Sequence, residues 1–107
     1  MTNFMKMFGQ MKETQAKIEE LQQKIAQLQA TGEAGAGLVR ATVNGNKKVL
    51  KIDIDPEIIK PSEQEMLQDL MVAAVNLAIQ AVDGKAKEVI KQSTAGILDD
   101  IPLDSMV

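Results

Sequence analysis

Between Met66 and Val82 the sequence MLQDLMVAAVNLAIQAV carries only four polar side chains, Gln68, Asp69, Asn76 and Gln80. Ser62 and Glu65 form an S-x-x-E capping box ahead of it, so the stretch reads as a helix running to about Gln92. A helix that is apolar almost all round must be covered on more than one side. Elsewhere the chain offers one hairpin, which covers one side. The uncovered remainder predicts an intimate homodimer, because an exposed apolar surface of that kind invites aggregation. Leu67, Leu70, Met71, Ala74, Leu77 and Ala78 are the residues of this helix expected in the core or the dimer contact.

A second unpartnered surface lies near the N-terminus. Phe4, Met11, Ile18 and Ile25 fall on one heptad position, and Met7, Thr14, Leu21 and Leu28 on the other. Seven of these eight are apolar, which makes a coiled-coil seam on a helix over roughly Thr2 to Gln29, about 40 Å long. Such a seam has no sense on an isolated helix and calls for a partner, in the same chain or in a second copy. Glu13 and Glu20 each precede a lysine by four residues, so Lys17 and Lys24 read as solvated-face residues with local acidic partners.

TGEAGAG, residues 31–37, carries three glycines, which read as a helix stop followed by a bulged edge strand. A phosphate-cradling glycine loop would follow a strand and open a helix, the reverse of this order. Beyond it, LVRATV, a turn and KVLKIDI form a hairpin. With an even-numbered turn loop, Val39, Ala41 and Val43 share a core face with Leu50, Ile52 and Ile54. Asn44-Gly45 fits a two-residue type I′ turn, and a four-residue loop to Lys47 keeps the parity and pairs Val39 with Ile52. An odd loop would set Val39 and Val43 on the lysine face and is rejected. Arg40 and Lys51 then lie on the face the core does not need, and Lys47 and Lys48 mark the tip or its shoulder. Lys85, Lys87 and Lys91 gather near the end of the second helix, where its dipole favours cations. Gly96 reads as a stop signal for that helix, and Gly84 within it as a place for a bend or a close approach.

The 107 residues contain no Cys, His, Trp or Tyr and only Phe4 and Phe8 as aromatics, so disulfides, thiolate metal sites, histidine bases and stacking platforms for single-stranded bases are all missing. No pair among the remaining Asp, Glu, Lys, Ser and Thr falls into a catalytic spacing, and an enzyme is not expected. Asp53 and Asp55 lie two apart with no third ligand in view, so neither a metal nor another cofactor is expected. Neither a signal peptide nor a run of about 18 uncharged apolar residues is seen, which points to the cytoplasm without a membrane. A net charge of −3 argues against wholesale attraction to nucleic acid and leaves only a local basic patch to provide it.

GEAGAGLV at 32–39, VNGN at 43–46, IDIDPEII at 52–59, LQDLMVAAVNLA at 67–78 and STAGIL at 93–98, in this order and spacing, resemble the YbaB/EbfC family of bacterial nucleoid-associated proteins. The resemblance implies an α+β fold and a single domain over 1–98. Residues 1–30 would form a projecting helix, 31–55 the sheet and 62–92 a core helix, with 99–107 a flexible tail. It further implies a homodimer whose first helices project like tweezers and which binds double-stranded DNA with little or modest sequence preference, influencing nucleoid organisation and gene expression. By that likeness Lys6 and Lys12 are candidate DNA contacts, joined on physical grounds by Arg40, Lys47, Lys48, Lys51, Lys85, Lys87 and Lys91. Ile18, Leu21, Ile25, Leu28, Val39, Val43, Leu50, Ile52 and Ile54 complete the expected core and dimer residues. Two positions depart from the family pattern: Leu77 stands after Asn76 where an acidic residue is common, and the tail's expected glycine pair reads Ala95-Gly96. The alternative reading is a prefoldin-like coiled-coil chaperone or assembly module, whose two helices zip together in one chain. The Met-rich first helix would then hold a protein partner.

Overall fold

A computed structural model describes the backbone of residues 2–98 and the side chains of residues 4–93. The chain runs α1 (Thr2–Gln27), β1 (Gln29–Ala34), β2 (Val39–Asn44), β3 (Val49–Ile54), two 3-10 turns (Pro56–Ile58 and Pro61–Glu63) and α2 (Gln64–Leu98). The three strands form one antiparallel sheet in the order β1-β2-β3. This is the expected α+β architecture, with a third strand where an edge strand was expected. The tail from residue 99 lies outside the described residues.

The glycines of TGEAGAG do not end α1. The helix stops at Gln27, and Gly32 lies inside β1. What ends α1 is contact with the β2–β3 turn: Leu28 N–H donates to the Ile25 carbonyl at 3.1 Å, and the Leu28 carbonyl accepts from Gly45 N–H at 2.9 Å. A Cβ on Gly45 would run into the Ile25 carbonyl, so glycine is needed there for close approach.

The type I′ geometry expected at Asn44-Gly45 belongs to the other hairpin. Between β1 and β2, Ala36 and Gly37 take φ of 57° and 89°, and Leu38 N–H closes the turn on the Gly35 carbonyl at 3.2 Å. The β2–β3 loop instead has three residues, Gly45 to Lys47, between Asn44 and Lys48. Asn44 N–H donates to the Lys48 carbonyl at 3.0 Å, Lys47 N–H donates to the Asn44 carbonyl at 2.9 Å, and Lys47 is left-handed at φ 63°. The Asn44 side chain also accepts from Asn46 N–H and Lys48 N–H, each at 3.0 Å.

This odd loop does not turn the valines outward, because a bulge after Thr42 compensates. Thr42 pairs with Lys51 but Val43 with Val49, and Leu50 is the extra residue. Beyond the bulge Val39 pairs with Ile54 and Ala41 with Ile52, so the expected face survives while the Val39–Ile52 pairing does not.

One face of the sheet is packed by α2, which lies over β1 and β2. Ala30, Ala34, Val39, Ala41 and Val43 from the sheet meet Ala74, Ala78 and Val82 from α2, with Ile58 of the first 3-10 turn closing the end. Small residues dominate because the backbones approach closely. A Cβ on Gly32 would overlap the Ala74 carbonyl and the Ala78 amide nitrogen. Leu28, Ile52, Ile54, Leu67, Leu70 and Met71 pack around this cluster, half-buried, as expected of core residues. Ile18, Leu50 and Leu77 do not: each is exposed in this chain, Leu50 at 49% because the bulge displaces it.

The capping box does not form as expected. The 3-10 turn opens at Pro61 with Lys60 at its cap position and no side-chain cap bond, so Ser62 already lies inside the turn. At the other end α2 passes Gly96 without stopping and reaches Leu98. The segment 61–93 is long and apolar enough to cross a membrane by length and composition, and in this fold its Ala74–Ala78–Val82 stripe is covered by the sheet. Gly84 has open space where its Cβ would be, so no other described element of this chain approaches it. Gly84→Ala is therefore expected to stabilise the fold by about 1 kcal/mol, read as a rise in urea midpoint. A fall would mean that a neighbouring copy packs closely against Gly84.

Candidate nucleic-acid interface

The outer face of the sheet alternates with the core face and is polar throughout. Antiparallel register places Glu33, Arg40 and Asp53 in one row across the three strands, and Thr31, Thr42 and Lys51 in the next. Arg40 pairs with Glu33, and Lys51 approaches Asp53 at 3.5 Å. At the tip, Lys47 lies 3.6 Å from Asp83 of α2. Three of the four hairpin cations proposed from sequence thus have a carboxylate partner, and the sheet face carries a cross-strand charge ladder in place of a one-sign patch. These pairs are about half exposed, where a pair contributes about 0–1 kcal/mol, so a phosphate could compete for the cations. Lys48 has no ion-pair partner among the described residues, although its backbone N–H is held by Asn44.

The three lysines near the end of α2 are not brought together as one group. Lys85 Nζ donates to the Gln29 carbonyl at 2.7 Å, tying α2 to the junction of α1 and β1. Lys87 and Lys91 are exposed to solvent. Because α2 continues to Leu98, its last turn contains no basic residue, and the helix dipole does not account for them. Asp55 Oδ1 accepts from Glu57 N–H at 2.9 Å and caps the first 3-10 turn, while Asp53 faces Lys51. No group of three possible metal-ligating side chains exists among the described residues.

The least compensated positive charge lies on α1. The molecule measures 74 × 28 × 16 Å with a radius of gyration of 20.6 Å, well above the roughly 13 Å of a compact domain of this length, because α1 projects from the sheet. Ser93 of α2 borders a groove with Thr14, Lys17, Ile18, Glu20, Leu21 and Lys24, and Lys85 reaches Gln29. α2 therefore runs antiparallel beside the second half of α1 only, while its own first half packs on the sheet. The two helices do not zip together over their whole length as a prefoldin-like arm would. Ahead of Thr14 the start of α1 stands clear of the other described elements, with Lys6 and Lys12 exposed and without an ion-pair partner among the described residues. No acidic residue precedes Glu13. Beside them Phe4, Met5, Met7, Phe8 and Met11 are exposed, and the two phenyl rings lean together with centroids 6.3 Å apart.

Net charge conceals this distribution. Asp99, Asp100 and Asp104 account for three of the fifteen acidic residues, so residues 1–98 carry twelve charges of each sign. Sequence reading missed Glu33 and Asp83 as partners of Arg40 and Lys47. The first could have been found by reading β1 from Gln29, which sets Glu33 across from Arg40. The second depends on where α2 lies, which no local pattern reveals.

A family model described as the YbaB/EbfC DNA-binding family matches residues 1–97. The chain belongs to that family. Its relatives include a nucleoid-associated protein of Chlorobium phaeobacteroides, 43% identical over 98 residues that cover 92% of this chain and 86% of the relative. A nucleoid-associated protein of Chlorobaculum tepidum is also 43% identical, over 106 residues covering 99% of this chain and 92% of that one. Among solved structures, an uncharacterized protein from Helicobacter pylori shares the fold with a TM-score of 0.67 at 21% identity, over 80% of this chain and 90% of its own. Membership of the YbaB/EbfC family makes this a nucleoid-associated, DNA-binding type of chain and not an enzyme.

Proposed function

We propose that two copies of this chain form a homodimer that binds duplex DNA mainly through phosphate contacts, with little or modest sequence preference, in the nucleoid within the cytoplasm. The observation that carries this reading is the exposed start of α1, acid-free ahead of Glu13, where Lys6 and Lys12 have no ion-pair partner among the described residues, in a chain of a DNA-binding family. Phosphate contacts position a protein without reading bases. No described element is a helix-turn-helix or other base-reading module, so the contacts supply affinity more than a sequence code. Lys48, Lys87 and Lys91 are secondary contributors, and Arg40, Lys47 and Lys51 contribute only by exchanging a carboxylate for a phosphate.

The homodimer is supported by what α2 leaves open. Val72 on the flank of α2 is 62% exposed, and Val75 and Ile79, at helical spacing from it, are only partly covered by this chain's core. Val49 and Leu50 at the start of β3 are exposed as well, and α2 lies over β1 and β2. A second copy covering this flank would bury both. Val72 is exposed and lies outside the buried cluster, so Val72→Glu is expected to turn the dimer into a monomer in sedimentation while helix content is retained. A dimer that survives Val72→Glu would move the contact elsewhere. The DNA reading is tested by binding to an unrelated fluorescent duplex from about 50 to 200 mM salt, the range in which multi-phosphate binders lose orders of magnitude in affinity. Affinity that is absent at low salt would overturn it.

A further inference from the structure

From Phe4 to Glu20 every side chain of α1 is exposed, and among its described side chains only Leu21, Ile25 and Ala26 are partly covered. The direction of the projecting helix is therefore set at its base. A single residue, Leu28, separates α1 from β1, so that base is a one-residue joint. The 26 residues of α1 make a lever about 39 Å long, with Lys6 about 33 Å from the joint. A swing of about 10° at Leu28 carries Lys6 about 6 Å sideways. A charge-assisted hydrogen bond holds only at about 2.7–2.9 Å, so small changes at the joint decide where the lysines of the arm can bind.

The β2–β3 turn and α2 hold this joint from two sides. The Leu28 carbonyl accepts from Gly45 N–H at 2.9 Å, and the Gln29 carbonyl accepts from Lys85 Nζ at 2.7 Å. Lys47 of the same turn lies 3.6 Å from Asp83, two residues before Lys85, and so ties the two holders together. Of these contacts only that of Lys85 brings a side chain to the joint itself. Its cation stands within two residues of the C-terminal end of α1, where the helix dipole favours positive charge. Lys87 and Lys91 on the same helix have no such bond to the joint. We propose that Lys85 is a positioning residue: it holds the joint at Leu28–Gln29, fixes the direction of α1 and thereby sets where Lys6 and Lys12 stand, without touching DNA itself. The consequence for DNA rests on the DNA reading above, whereas the effect on the direction of α1 does not.

A phosphate contact and a positioning role predict different salt behaviour. A lysine on a phosphate releases counterions, so its loss lowers the salt slope by about 0.9 in each chain. Loss of a positioning lysine leaves the number of phosphates unchanged but makes the duplex order a looser arm, which lowers affinity along the same slope. The chain has no cysteine, so Gln10→Cys and Thr31→Cys place one nitroxide on α1 and one on the sheet of the full chain. Excess unlabelled chains keep the measured distance within one chain. Lys85→Met, which removes the ammonium and keeps an unbranched stem, is expected to broaden the distance distribution, and Lys85→Arg, which keeps a cationic donor, to leave it narrow. Lys85→Met should also weaken binding to an unrelated duplex several-fold at low salt with the slope unchanged. That loss should vanish when Lys6→Gln and Lys12→Gln are already present, because the two effects act through the same contacts. A distribution that stays narrow in Lys85→Met overturns the proposal, and so does a slope lower by about 0.9 per chain, which would put Lys85 on a phosphate. If no form of the protein binds duplex while the distribution broadens, the DNA reading fails and the role of Lys85 in aiming α1 stands.

Discussion

Gly32→Val is expected to remove about 4 kcal/mol or more of folding stability. Gly32 sits in β1 with its α-carbon turned toward α2, and the first atoms a Cβ would meet are the Ala74 carbonyl oxygen, the Ala78 nitrogen and the Leu77 carbonyl carbon. All three are helix backbone, which cannot swing aside as a long side chain can. Overpacking a core costs about 1–3 kcal/mol where neighbours can rearrange. Here β1 must lift off α2, uncovering Ala30 and Ala34 as well, and costs in the exceptional range follow. A domain of this size has only about 5–15 kcal/mol in total. Urea unfolding measures the effect, with Gly9→Ala as the contrasting variant. Gly9 has nothing near its Cβ position and should gain about 1 kcal/mol. A loss below about 1 kcal/mol at Gly32 would mean that β1 does not rest on α2 in this way.

Gly32 also illustrates what could and could not be read from the sequence. The α+β class, both long helices and the face shared by Val39, Ala41 and Val43 follow from periodicity, because local spacing decides which side of an element turns inward. The pairing partners do not follow. Asn44-Gly45 is the strongest local signal for a two-residue turn, yet the packing of α1 against that turn, through Gly45 and the Ile25 carbonyl, favours a three-residue loop with a compensating bulge. The type I′ turn falls at Ala36-Gly37, where a non-glycine residue adopts a left-handed φ within a glycine-rich run. In the same way, glycines that looked like breakers act as contact points because α2 passes directly over β1. The candidate site was less legible. Lys6 and Lys12 became candidates only through the family resemblance, because no local pattern marks one end of a heptad helix as the exposed one. The neutralisation of Arg40, Lys47 and Lys51 was not legible, because it depends on Glu33 and Asp83 arriving from other elements.

That neutralisation separates two surfaces by their salt dependence. Binding to duplex DNA weakens with salt along a slope of about 0.9 per phosphate neutralised. Lys6→Gln with Lys12→Gln removes two uncompensated charges from each chain and four from a dimer, so the slope should fall by about 3.6. Between 50 and 200 mM salt the affinity of the double variant should then drop about a hundredfold less than that of the unaltered protein. Arg40→Gln with Lys51→Gln removes cations that already face Glu33 and Asp53. A phosphate that takes such a cation displaces a carboxylate more than it releases counterions, so this variant should leave the slope nearly unchanged. Neither pair touches the buried cluster, and exposed ion pairs contribute little, so both variants should unfold within about 1 kcal/mol of the original protein. If the sheet variant flattens the slope and the helix variant does not, the ladder of Glu33, Arg40 and Asp53 opens when DNA arrives, and the phosphate surface lies on the sheet instead of the projecting arm.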